Sequence, residues 1–436
     1  MSKSEHEPDR RSVSIQSQKG SVRSRLIFSR PIAITALAGV ILASGLYFAS
    51  QSGSDPLGYR NDFNVFYYAA REVLAGRDPY QSSLGDWTPY LYPPFLAAAM
   101  APLALLSLPV AAYIWFLINA LSALAASWMS ARLAGGAGER MSKPGRLPSA
   151  GEVLVPLVGA VSLVVVARFV LDNFSLGQVN PIVAALAAAH VYLYSRNKKT
   201  GSALMLAIAA SIKLTPLILL AYHIARRRWK FSAACLGLAA AITVLSFLPF
   251  GSRAPDAFHV FLSRTIQNKQ GYDLAYSGNQ SLRGAIARLT PAASRPLDHS
   301  ASESSRRPSD PVTLIISLAL VAVGMLAASR ARTELLAAAP FVCCFVLLSP
   351  LSWKAHFVVL ILPVASLAAE AGRACGNRRG ILIAGLVVVF ILFNLTSPAV
   401  MGLRAAEWAD AHSLVFIGAL LIFAASVWRA RFAEKG

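Results

Sequence analysis

A few polar side chains stand in otherwise apolar surroundings, and their types could do chemistry there. Asp62, between Asn61 and Phe63, puts a carboxylate just beyond the first apolar run. A carboxylate held near a hydroxyl can act as a general base, and cover by Phe63, Phe66 and Tyr67 would raise its pKa and strengthen it. An N-cap to the helix that follows is the plainer alternative. Lys213 interrupts the apolar sequence AIAASIKLTPLILL. A cation inside a membrane is costly and faces a cavity or a partner. Thr215-Pro216 breaks the helix beside it, which places the ammonium at a cavity floor, where it suits an anionic lipid phosphate. Snorkelling of Lys213 to an interface is the alternative.

The remaining candidates are weaker when taken singly. Asn279, Gln280 and Arg283 in NQSLRG supply donors of the kind that anion recognition wants, and Arg pairs with phosphate bidentately. A solvated loop would read the same way. His356 in SPLSWKAH offers an imidazole that could orient a sugar hydroxyl or partner Asp62, and with Trp353 it could equally be an interfacial anchor. Gln178 and Asn180 in GQVNP put two amides at one membrane edge, where helix capping explains Asn180 equally well. With Tyr67 and Trp353 they are expected to line the substrate path. Asp78, followed by Pro79, reads as turn chemistry.

The elements that must position these groups follow from composition. Of the 436 residues 56% are hydrophobic and 14% charged, with mean hydropathy +0.53. A soluble domain carries about 25% charged residues, so there is too little polar surface here for a soluble enzyme. The net charge of +20 would suggest nucleic acid in a soluble protein. Here Lys and Arg collect in alternate loops, as the positive-inside rule requires, and no basic segment is interleaved with base-stacking aromatics.

The sequence therefore predicts an all-α polytopic membrane protein. Apolar runs long enough to cross lie at about 31–49, 108–132, 153–171, 178–195, 231–250, 312–329, 334–350, 355–370, 380–398 and 412–428. Segments 94–106, 201–212 and 216–225 are too short to cross unaided and read as re-entrant or half-helices lining a cavity. That makes about 10–13 transmembrane or re-entrant helices in a single membrane domain, 31–428. A basic tail (1–30) precedes it and a second tail (429–436) follows, both expected to be cytoplasmic. Two long loops, about 50–92 and 251–311, fall on the outer side, with the candidate residues. Within the first, Phe63 to Gly76 has helical spacing and reads as an amphipathic helix on the membrane surface.

The cysteines, Cys235, Cys343, Cys344 and Cys375, lack metal-ligand spacing. No metal site, nucleotide-binding loop or other cofactor site is expected.

Taken in order, NDFNVFYYAAREVLAGRDPY, LYPPFLAAAMAPLALL, GQVNP, IKLTPLILLAYHIARRRW, GNQSLRGAIARL and SPLSWKAHFVVLILP resemble the polyprenyl-phosphate-hexose-dependent glycosyltransferases of family 87, the DUF2029 domain. The resemblance spans roughly residues 55–400. It implies a GT-C-type enzyme of the cell membrane, with its active site on the outer face. The enzyme would move a hexose, mannose by commonest precedent, from a polyprenyl phosphate to a lipid or glycan acceptor with inversion. The family's first-loop aspartate falls on Asp62 as base, and the histidine of its SW-x-x-H segment on His356. Lys213, Asn279, Gln280 and Arg283 are the expected donor-phosphate contacts. The runner-up is a transporter or flippase for a lipid-linked or polyol substrate. Transporters carry interrupted helices at matching positions in two halves, whereas the interruptions here bunch between residues 94 and 225.

Overall fold

The computed structural model describes residues 35, 37–54, 61–81, 90–135, 150–263, 274–289 and 309–432. The basic tail 1–30 and most of the 292–311 segment lie outside them. Among the described residues the regular structure is all helical. The long or site-bearing helices are α1 (37–54), α2 (Asp62–Leu74), α3 (Leu108–Gly135), α4 (Ala150–Val165), α5 (Ala167–Leu176), α6 (Asn180–Ser195), α7 (Lys199–Ile212) and α8 (Leu219–Ala225). After them come α9 (Trp229–Leu245), α10 (Leu282–Leu289), α11 (Ser309–Arg330), α12 (Glu334–Leu347), α13 (Ile361–Arg373), α14 (Gly376–Phe390), α15 (Leu403–Ala411) and α16 (Leu414–Phe432). The chain is a multi-pass membrane protein.

Among the described residues four helical stretches are long and apolar enough to cross a membrane: Leu108–Gly135, Pro311–Arg330, Lys354–Arg373 and Gly376–Leu395. Their surroundings differ. The central window of Lys354–Arg373 is 89% buried, whereas 17% of the window is buried in Pro311–Arg330 and in Gly376–Leu395. The first is thus the axis of the bundle, and the other two leave most of their surface uncovered by the rest of the chain.

Several expected straight spans are instead broken or short. The run 153–171 splits into α4 and α5, bent by 65° at Val166. No proline or glycine stands at the bend. Asn394 holds it open: its Oδ1 accepts from Arg168 N at 3.0 Å, and its Nδ2 donates to Val165 O at 2.9 Å. A side chain has replaced the helical hydrogen bonds that the bend removes. The 231–250 run bends by 71° after Leu245. The expected spans 178–195 and 334–350 are helices of 16 and 14 residues.

The predicted amphipathic helix exists as α2, and Gly76, at φ +65°, follows its end. Its apolar face does not lie on lipid, which corrects the surface-helix expectation. Phe63 and Phe66 are buried against Trp115, with ring centroids 6.3 and 6.0 Å away, and Phe66 meets Tyr92 edge-on at 5.0 Å. Aromatic faces of this size find better partners in other rings than in lipid chains. The N-cap is Asn61, whose Oδ1 accepts from Asn64 N at 3.0 Å. Asp62 is therefore the first helical residue and not the cap, so its carboxylate is left for other work.

Candidate functional site

Gly177 decides where the GQVNP turn can go. It closes α5 in the left-handed region at φ +63°, and its carbonyl accepts from the Trp115 indole at 2.8 Å. The turn presses so tightly on the start of α2 that only a residue without a side chain fits. Gln178 is thereby set beside Asp62, and its Nε2 donates to the Asp62 carboxylate. Two distant motifs, in the first long loop and at the α5–α6 turn, meet at one hydrogen bond.

From there the network continues through a second amide. Asn180 donates from Nδ2 to Gln178 Oε1 at 3.2 Å and to Asn173 Oδ1 at 3.0 Å. Its own Oδ1 accepts from Lys213 Nζ at 3.0 Å. Lys213 lies in the extended break after α7, as the Thr-Pro pair implied. Asn180, Lys213 and His356 share the lining of a small cavity with Thr215, Phe345 and Val359. Asp62, Gln178, Asn180, Lys213 and His356 are thus brought to one place. His356 is buried on the 3-10 turn Lys354–Leu360 and reaches Lys213's cavity rather than the Asp62 carboxylate.

Burial raises the Asp62 pKa from its ordinary range to about 6, against the hydrogen bond from Gln178 and the charge on Lys213, which both lower it. Burial, helped by the Asp62 charge, also holds the Tyr92 phenol well above its ordinary range. Tyr92 therefore stays protonated and donates to Gln178 Oε1 at 3.3 Å.

The other expected contacts do not join this set. Asn279 donates to Leu274 O at 3.1 Å and Pro350 O at 3.2 Å, while its Oδ1 accepts from Ser352 N at 3.0 Å. Gln280 donates to Ser277 O and Asp410 O, at 2.6 and 2.9 Å. Both residues are fully buried and their amides are committed to the fold, which corrects the expectation that they stand open to a phosphate. What the two motifs do is brace each other, since Gln280 N also donates to Ser352 O at 2.8 Å. Ser281 Oγ, accepting from Gly284 N at 3.0 Å, starts α10, on which Arg283 is half-buried. Tyr67, buried beside Phe63, spends its hydroxyl on Leu106 O at 2.8 Å, so it does not line an open path. Trp353 is half-buried with Tyr276 edge-on to its ring at 5.8 Å. Asp78 accepts from Tyr80 N at 2.9 Å, the expected turn.

Sequence reasoning missed Asn173 and Tyr92. Asn173 donates to Phe169 O and to Ala355 O, both at 2.6 Å, which ties α5 to the turn that carries His356. It lies seven residues before Asn180, on the other side of the Gly177 turn, and the nearness of the two amides in sequence could have flagged it. Among the described residues no group of three or more His, Cys, Asp or Glu could hold a metal ion.

Comparison with known proteins gives the geometry its context. A polyprenol-phosphate-mannose-dependent alpha-(1-2)-phosphatidylinositol mannoside mannosyltransferase of Mycobacterium tuberculosis is 25% identical over 359 residues, 78% of this chain and 76% of its own length. A polyprenol-phosphate-mannose-dependent alpha-(1-2)-phosphatidylinositol pentamannoside mannosyltransferase of the same species is 28% identical over 340 residues, 76% and 72% of the two chains. A phosphatidylinositol mannoside mannosyltransferase of Mycolicibacterium smegmatis is 27% identical over 402 residues, 88% and 84% of the two chains. The sequence profile of glycosyltransferase family 87 matches residues 90–350, more than half of the chain and most of the segments that build the network. This chain belongs to glycosyltransferase family 87 and is a multi-pass membrane glycosyltransferase.

Proposed function

We propose that the protein transfers a hexose, mannose in the first instance, from a polyprenyl phosphate to a lipid or glycan acceptor, with inversion and with Asp62 as general base. The observation that carries this reading is the joining of Asp62 to Lys213 through two amides. A base and a cation within one network are what such a transfer needs. The acceptor hydroxyl attacks the anomeric carbon, Asp62 takes its proton, and the bond from that carbon to the phosphate oxygen breaks. The polyprenyl phosphate leaves with the electron pair, its charge met by Lys213. His356 closes the other side of the Lys213 cavity and is suited to orient a sugar hydroxyl there.

The names of the relatives support mannose as donor sugar and a phosphatidylinositol mannoside as a model acceptor. Arg283 is assigned as a second cation toward the donor phosphate. The membrane is the cell membrane, both termini are cytoplasmic, and the transfer takes place on its outer face. This orientation rests on the Lys/Arg clusters at 132–146, 196–199, 226–230 and 373–379, all on loops of one side. The test is transfer from radiolabelled polyprenyl-phosphate-mannose in membranes containing the wild-type protein or Asp62→Asn. Labelled product with the first and none above background with the second is the expected result. No product with the wild type and several lipid acceptors would overturn the reading.

A further inference from the structure

The orientation of three side-chain amides in the site is fixed by logic, beginning from groups that can only accept. Asn173 places its NH2 on two backbone carbonyls, Phe169 O and Ala355 O, so its Oδ1 must face Asn180. Asn180 must then donate from Nδ2, which turns its Oδ1 to Lys213, so that Nζ is the donor of that bond. The same Nδ2 donates to Gln178 Oε1, and so does the Tyr92 hydroxyl. With its oxygen taken twice, Gln178 has only its NH2 left for Asp62. Every hydrogen bond from Lys213 to Asp62 therefore runs in one direction, from ammonium through two amides to carboxylate.

We propose that Gln178 and Asn180 are positioning residues of the transfer, a polarised amide relay that holds the Asp62 carboxylate in place and makes it respond to the charge on Lys213. The inference rests on the reading of Asp62 as the base. Aligned amide dipoles polarise one another, and each strengthens the next. A donor phosphate arriving at Lys213 offsets that cation, which relaxes its pull along the relay and makes Asp62 a stronger base when the donor is in place. Among the described residues the titratable groups facing Asp62 are Lys213, from the break after α7, and the Tyr92 phenol, from the segment ahead of α3. His356 faces Lys213 across the cavity. On α2 itself Arg71 is exposed and Glu72 is paired with Arg77.

The experiment is the pH dependence of kcat and of donor kcat/KM in membranes containing wild type, Gln178→Leu, Asn180→Leu and the isosteric Gln178→Glu. Gln178→Leu removes a hydrogen bond that favours the ionised carboxylate, so the acid limb of the profile should move to higher pH by about one unit. Asn180→Leu cuts Asp62 off from Lys213 and should move it the same way. Gln178→Glu keeps the oxygen that accepts from Tyr92 and Asn180, so those two bonds are retained. It sets a second carboxylate against Asp62, and the limb should move furthest. A merely structural role would lower kcat equally at every pH and leave the limb where it is. That result in Gln178→Glu, with Asp62→Asn still inactive, overturns the relay and spares the proposed base. Full turnover in Asp62→Asn overturns both.

Discussion

A β-carbon on Gly177 would stand 2.6 Å from Cβ of Phe63 and 2.8 Å from the ring of Phe48. Non-bonded carbon atoms prefer about 3.5–4.0 Å, and the Phe63 atoms, a β-carbon and a backbone nitrogen at 3.3 Å, can give way only if α2 itself shifts. Gly177→Ala must therefore lift the α5–α6 turn off α2 and part Gln178 from Asp62. The positive φ adds strain of its own. The expected outcome is a lower melting temperature in detergent together with lost transfer activity. Gly385→Ala is the control, since nothing lies within 4 Å of the added carbon there, and it should match wild type in both measurements.

Asp62→Asn keeps the shape of the side chain and cannot take a proton. General base catalysis contributes typically about 10²–10⁴-fold, so turnover should fall by at least the lower figure while the purified protein melts as wild type does. Near wild-type turnover in a well-folded preparation would move the base elsewhere.

The pH dependence follows from the raised pKa. Only the ionised carboxylate accepts a proton, so activity grows with pH through about 6 and levels off above it. At pH 5 roughly a tenth of Asp62 is ionised if titration is simple, and the rate should be about tenfold below the plateau. A flat profile from pH 5 to 8, under donor saturation, would contradict this.

Lys213→Met and Arg283→Ala each remove a cation assigned to the donor phosphate. A hydrogen bond to a charged group contributes about 1.5–3 kcal/mol, and if it already exists in the ground state its loss appears in donor KM rather than kcat. Initial rates across a donor titration read this directly. Wild-type KM in either variant would return that residue to a structural role.

Asn279→Ala should behave differently. It strands Ser352 N and removes the brace between the α10 turn and the turn that carries Trp353. An unsatisfied buried group costs about 1–3 kcal/mol, so melting should fall while donor KM in the folded fraction stays put. A raised KM at unchanged stability would restore Asn279 as a phosphate contact.

The contrast between Lys213 and Asn279 shows which parts of the site were legible. Lys213 was readable because a lone cation beside Thr-Pro in an apolar run has few places to go. Asn279 and Gln280 were not, because a sequence lists donors without saying which acceptors are nearer, and here backbone carbonyls were. Asp62 and Gln178 each stood out, yet their contact spans 116 residues and has no local signature. Helical character was plain from composition, but the bend at Val166 was not, since its cause is Asn394 in another helix. Nor did the apolar pattern reveal the polar cluster where α6, α8 and α12 end or begin. There His190 and His223 meet at 3.0 Å and Arg228 grips Glu334 with two bonds of 2.6 Å. A histidine alone in an apolar helix gives no hint of a second one 33 residues on.

α12 has fourteen residues, and every side chain from Leu335 to Leu347 is enclosed by protein. At 1.5 Å per residue it rises about 21 Å, well short of the roughly 30 Å of hydrocarbon. Such a segment touches no acyl chain, so its hydrophobicity is spent on neighbours and the bilayer does little to hold it. Its presence in the membrane is a debt to α11, α13 and α16, and biogenesis must deliver those walls around it. The thickness that matters around the cavity wall made by Phe345 and Val346 is consequently set by protein rather than by lipid.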